Sequence, residues 1–456
     1  MNQKSTILQG SILKSLITFT LSILFALVLQ MTYGMVDLFI VGQFSTVEDI
    51  AGVTIGSIVM NMLVSSCNGF AMGTTVLLGQ KIGEGKQDEA GAVVGNSVLF
   101  FIISGLVITL GMIVPLPSIV QLLNTPPEAV PHTTAYLFYG ALGVVPVFAY
   151  NLLGSVFRGI GDSKTPLLAV GIACIINIIG DFILVAYFDM GAEGAAIATV
   201  FAQTMSVLIS VYIISRKNLP FHFSKASLKY DSKVFWHTLR LGFPLGIQNL
   251  LISFTFVALT MIANQFGVAY SAAIGVSEKV SGIFYFIPFA FMQSLSAYVA
   301  QNYGAMQLDR GRKATQLAMG ICLICCSLLA YLSFYHGDML IGIFNDSPDV
   351  MEYGGNYMAS YAFDVFLCAF LLCAAGFFNG IGQTTFVMAQ GLIGALLVRL
   401  PLAYLFSIIY GSDLFMIGLA TPIGSVVQLT ICLGYYLWFN KRLKKLELEH
   451  QLHKSL

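Results

Sequence analysis

Apolar residues in this chain run in continuous stretches of twenty or more, separated by short polar segments. A helix rising 1.5 Å per residue needs about 20 such residues to cross the hydrocarbon of a bilayer. Twelve stretches qualify, at 14–43, 51–80, 91–115, 133–157, 165–187, 194–215, 236–264, 272–300, 314–335, 353–377, 386–409 and 413–440. Several exceed 25 residues and should tilt or protrude. Lipid admits only helices or closed barrels as spanning structures, and barrel strands alternate in polarity, which these runs do not. The pattern therefore predicts an all-α integral membrane fold of twelve transmembrane helices.

Composition narrows the class. Hydrophobic residues make up 57% and charged residues 10% of the 456 positions, against about 25% charge in soluble domains. A soluble enzyme and a disordered chain are excluded, and a net charge of zero excludes a nucleic-acid binder. The charges also orient the spans. With the N-terminus inside, all but two of the 22 Lys and Arg fall on the cytoplasmic side, among them Lys4, Lys81, Lys86, Arg158, Lys164, Arg310, Arg312, Lys313 and Lys441, Arg442, Lys444 and Lys445 of the tail. The exceptions, Lys279 and Arg399, lie inside spans, while outer loops carry acids such as Glu48, Asp49, Glu128, Glu193 and Asp413. The positive-inside rule then places both termini in the cytoplasm. No cleavage-type site follows the short polar N-terminus, so no signal peptide is expected. The eight cysteines, including Cys322, Cys325 and Cys326, sit in apolar runs and read as packing rather than metal ligands.

The halves resemble each other. FRGIG at Phe157–Gly161 returns as FNGIG at Phe378–Gly382, and Gln80–Gly83 (QKIG) returns as Gln301–Gly304 (QNYG), both at an offset of 221. Gln43-Phe44 pairs with Gln265-Phe266 at 222. Each half holds six spans, so the repeat is parallel, as in transporters that rock one half against the other. This predicts two pseudo-symmetric six-helix lobes: an N-lobe at 1–215, a cytoplasmic linker at 216–235, a C-lobe at 236–440 and a tail at 441–456.

Four acids fall inside spans: Asp37, Asp181, Glu278 and Asp364. A carboxylate in lipid needs a partner, a proton or a water-filled cavity. Burial favours the neutral acid, which suits a coupling proton, and clustered oxygens also suit Na⁺. Tyr33, four residues before Asp37, shares its helix face and can hydrogen-bond it. Asn177 stands in the same relation to Asp181, with Thr199 of the sixth span a candidate neighbour. The repeat partners of Asp37, Asp181 and Asn177 are Leu259, Leu402 and Val398, so the first half alone carries this chemistry. Asp364 and Arg399 sit at comparable depth and are expected to pair, either structurally or in a substrate cavity. Glu278 either reaches for the interface or lines a cavity. Pro244 permits a bend in the seventh span, with Gln248 and Asn249 beyond it as cavity candidates.

These motifs resemble the multidrug and toxic compound extrusion (MATE) family, in a branch similar to the DNA-damage-inducible protein F. The resemblance rests on LVLQMTYGMVDLFIVGQF, GQKIGEGK, FRGIGDSKTP, NIIGD and GAEGAAIATV in the first half, and on RLGFPLGIQNLL, VAQNYGA, FNGIGQT and VRLPLAYLF in the second. It implies a prokaryotic inner-membrane antiporter, with no cofactor and no enzymatic activity, working as a monomer. It would expel amphipathic, often cationic drug-like molecules by alternating access, driven by H⁺ or Na⁺. It implies coupling at Asp37, Tyr33, Asn177, Asp181 and Thr199, with Asn151 a weaker member. Two departures matter. Ser22 stands where many relatives bend the first helix with a proline, and Ile252 stands where a second branch carries a Glu. The alternative is a flippase for lipid-linked oligosaccharides from the wider superfamily. Those often have fourteen helices and a more basic cavity.

Overall fold

The computed structural model describes residues 7–455, without the side chains of residues 225, 226 and 442–456. Lys4 therefore lies outside the described residues, as do the side chains of Arg442, Lys444 and Lys445. No strand occurs among the described residues. Eleven helices are long and apolar enough to cross a membrane, and a bent pair makes a twelfth span. We label them α1 Ile12–Phe44, α2 Val47–Gly83, α3 Gln87–Ile113, α4 the pair Pro127–Leu142 and Val144–Gly159, α5 Lys164–Tyr187, α6 Gly191–Arg216, α7 Ser232–Asn264, α8 Val268–Gly304, α9 Leu308–Tyr335, α10 Pro348–Gly380, α11 Thr384–Ile409 and α12 Leu414–Lys441. Large apolar side chains such as Phe39, Leu110, Ile175, Ile324 and Leu397 remain exposed on these helices, as a lipid-facing surface requires.

Local chemistry sets the helix ends. Thr46 and Asp49 form a reciprocal capping box at the start of α2, satisfying two of the four orphan amides there. Asp49 does more: its Oδ1 also accepts from the Ala192 amide at 2.8 Å and lies 2.7 Å from His132 Nδ1. It thereby ties α2 to the starts of α4 and α6. Gly191, at φ +52°, passes so close that a Cβ would sit 2.2 Å from that carboxylate. At the opposite end, Asp162 caps α5 by accepting from the amides of Lys164 (3.1 Å) and Thr165 (3.0 Å). This second end is the basic end, where Lys81, Lys86, Lys164 and Lys217 gather at helix termini.

Four of the described spans depart from continuous α-geometry, α12 by a turn at Leu419 and three others more deeply. The halves of α4 meet at 51°, with Gly143 between them so close to α6 that a Cβ would lie 2.2 Å from Val200. π-helical turns occupy Phe182–Tyr187 in α5 and Ile393–Arg399 in α11. The first begins directly after Asp181 and the second ends on Arg399, and π-bulges frequently accompany such positions. Neither α1 at Ser22 nor α7 at Pro244 is interrupted. Ser22 Oγ donates back to Thr18 O at 2.9 Å.

The chain forms two compact units. One takes in the chain to Leu250 together with Ala290–Leu317 and Gly376–Thr385. The other comprises Leu251–Phe289, Ala318–Ala375 and the chain from Phe386 onward. The units do not follow the sequence halves, because the basic ends of α7, α8, α9 and α10 pack into the first unit.

Candidate functional site

In the first unit α5 packs against both α1 and α6. This brings Asp37 of α1, Asn177 and Asp181 of α5 and Thr199 of α6 together. Asp37 is 7% exposed, Asp181 0% and Asn177 1%. The two carboxyls are neighbours where α1 packs on α5. Asn177 Nδ2 donates to Thr199 Oγ1 at 3.3 Å. Asp37 Oδ1, both Asp181 oxygens and Asn177 Oδ1 are buried with no protein donor. Buried acceptors are ordinarily bonded, and these four unsatisfied ones lie in one site. Toward the acidic end the site is closed by Ile40, Val41, Val53, Tyr136 and Val185, a continuous apolar core.

Toward the basic end it opens into a cavity lined by Tyr33, Tyr150, Asn177, Thr199 and Gln203, with small Ala173 and Ala202 leaving the space. Tyr33 does not bond Asp37 as its spacing suggested. It lines this cavity together with Gln203. Tyr150 OH accepts from Gln30 Nε2 at 2.8 Å. Gln30, Tyr150 and Gln203 were missed in the sequence. A signal existed for two of them: Gln30 lies three residues before Tyr33 and seven before Asp37, and Gln203 lies four after Thr199, each on the same helical face.

The second unit treats its acids differently. Arg399 pairs with Glu278, Nη2 to Oε1 at 3.6 Å, not with Asp364 as expected. Tyr357 OH donates to Glu278 at 3.2 Å, and the guanidinium lies over Phe256, 4.9 Å from its centroid. Asp364 instead accepts from the Tyr285 and Ser425 hydroxyls, one on each carboxyl oxygen. Depth along a span matched Asp364 to Arg399, but the azimuth of α10 turns the acid toward α8 and α12. Of the weaker candidates, Asn151 donates to Val147 O in its own helix at 2.8 Å. Asn249 donates to Ser65 O at 2.9 Å, and Gln248 is half-buried. Cys322 and Cys326 are buried free thiols 3.8 Å apart.

Comparison with known proteins places this architecture. Over 443 residues the chain is 25% identical to a probable multidrug resistance protein, YpnP, of Bacillus subtilis, covering 96% of this chain and 98% of the relative. It is likewise 25% identical to a FAD transporter of Shewanella oneidensis, with 96% of each covered. The outward-facing structure of a multidrug resistance MATE family transporter superposes with a TM-score of 0.90 at 19% identity, covering 98% of this chain and 99% of that one. The family model of MatE matches residues 22–183 and again 244–405, two segments offset by 222 in register with the internal repeat. The chain therefore belongs to the MatE family of membrane transporters, the family its motifs resemble.

Proposed function

We propose that this transporter is a secondary antiporter that exports amphipathic, cationic small molecules in exchange for protons bound at Asp37 and Asp181. The donor-free oxygens of that pair carry the reading. Two adjacent buried carboxylates cannot both stay charged cheaply. One proton shared between them supplies the missing donor, and a second neutralises the site. Proton number then sets the charge held among α1, α5 and α6, and that charge biases which conformation the protein favours. The second unit supports this assignment to the first, since Glu278 is ion-paired and Asp364 has a donor on each oxygen. The relative named for multidrug resistance supports drug-like cargo. The basic end faces the cytoplasm on this reading, in keeping with the positive-inside rule, in a prokaryotic inner membrane.

The test is efflux of a fluorescent cationic dye from proteoliposomes under an imposed pH gradient, then an imposed Na⁺ gradient. Proton-driven efflux should fall at least about tenfold in Asp37→Asn and Asp181→Asn, since each change removes a titrating site at the centre of the coupling. Efflux that needs Na⁺ at fixed pH would replace the proton with a cation held by Asp37, Asp181, Asn177 and Thr199. Unchanged efflux in both variants would end the assignment of coupling to this pair.

A further inference from the structure

The two repeated motifs, QxxG and FxGIG, meet at the basic end of the first unit. Gln80 at the end of α2 donates its side-chain Nε2 to Gly380 O at 2.9 Å. Gln301 at the end of α8 donates its Nε2 to Gly159 O at 2.8 Å. Adding 221 to Gln80 and Gly159 gives Gln301 and Gly380, so each bond is the repeat image of the other, and each joins one sequence half to the other. Gln80 is 9% exposed and Gln301 0%.

The acceptors explain why an amide side chain sits there. Gly159 and Gly380 are the last residues of α4 and α10, where carbonyls run out of partners. The turns that follow are built alike. Asp162 N bonds Phe157 O and Gly161 N bonds Arg158 O, while Gln383 N bonds Phe378 O and Gly382 N bonds Asn379 O. Gly161 and Gly382 hold φ at +84° and +83°, which needs glycine. These turns satisfy the neighbouring carbonyls and leave those of Gly159 and Gly380 for a donor from the other half. Beside them α2 and α8 approach so closely that a Cβ on Gly83 would lie 2.1 Å from Gln301 O, and one on Gly304 2.0 Å from Gln80 O. The seam continues along the same helices in two chemistries. Gly73 would place a Cβ 2.5 Å from the Gly242 amide. At the repeat-related position Thr20 and Ser294 hydroxyls bond at 2.7 Å.

We propose that Gln80 and Gln301 form a reciprocal latch that holds this end shut, and that breaking both bonds is the step that opens it. The inference takes from the proposed function only that the protein changes between conformations. Buried, the two amides are bonded to main chain across the seam. Opened, both glutamines and both carbonyls bond water, so the cost of parting is modest and reversible. A pair of side-chain bonds on an axis of approximate symmetry releases together, which makes the opening cooperative.

The experiment is hydrogen–deuterium exchange, read by mass spectrometry, on the full chain in nanodiscs with no substrate or ion gradient. Methionine matches glutamine in size and cannot donate, so Gln80→Met and Gln301→Met remove the bonds and keep the packing. The double variant should exchange amides near 76–86 and 298–306 roughly tenfold to a hundredfold faster, and each single variant a few-fold faster. Exchange near 47–56, at the acidic end, should not change. Wild-type exchange at the basic end in the variants, or acceleration at both ends alike, would overturn the latch. This readout is independent of transport, so a failed antiport reading and a failed latch are separable; if the double variant does not fold, the single variants decide.

Discussion

Asp181 and Asp364 are both buried carboxyls, 0% and 1% exposed, yet Asp364 has a hydroxyl on each oxygen and Asp181 has a donor on neither. Exposure alone does not separate these two environments; the donor count around each carboxyl does. The Glu278–Arg399 pair is a largely buried ion pair. Removing one partner of a buried pair leaves an uncompensated charge, so Arg399→Met should cost about 3 kcal/mol. Adding Glu278→Gln should restore most of it, as measured by thermal unfolding of the single and double variants in detergent. Asp162, outside the spans, offers a pH readout. Burial opposes its ionisation, but hydrogen bonds from Lys217 at 2.6 Å and from Thr165 outweigh it and hold the carboxyl below its usual range. A depressed carboxyl stabilises the fold above its unfolded value and stops doing so as pH falls through its folded value. Asp162→Asn should therefore lower the melting temperature at neutral pH, and the difference from wild type should close below about pH 4.

At the scale of elements, glycines in these helices do opposite things according to what faces them. Gly83 in α2 has the main-chain oxygen of Gln301 where its Cβ would go, and a main-chain atom yields only if a helix moves. Gly83→Ala should cost roughly 1–3 kcal/mol and loosen the basic end. Gly34 in α1 has nothing within 4 Å of that position, so Gly34→Ala should be neutral or slightly stabilising. Thermal unfolding of the two variants side by side distinguishes local crowding from a general intolerance of change. The bend in α4 and the π turns beside Asp181 and Arg399 belong to this scale as well. They were invisible in the apolar runs because hydropathy records how much apolar surface a segment has and says nothing of how its hydrogen-bond ladder is phased.

For the whole molecule, the internal repeat that showed in a few motif residues acquires a physical role at Gln80, Gln301, Gly159 and Gly380. The same offset that relates the motifs relates the two bonds, so both halves contribute the same chemistry to the seam they hold. Elsewhere the halves have diverged. The first carries donor-free acids, and the second pairs one of its acids with an arginine and hydrogen-bonds the other.

Span number, helical class and the acids at 37 and 181 followed from the sequence. Lipid demands long apolar helices, and a polar atom in such a run stands out whatever it touches. The motif spacing exposed the repeat for the same reason: register along a chain is one-dimensional information. Partners across helices are not. Tyr33 facing Gln203 rather than Asp37, Arg399 pairing with Glu278 rather than Asp364, and glutamines capping helices 142 and 300 residues away all depend on helix azimuth and on the approach of one helix to another. Those quantities are fixed by packing of many side chains at once, and only the tertiary structure decides them.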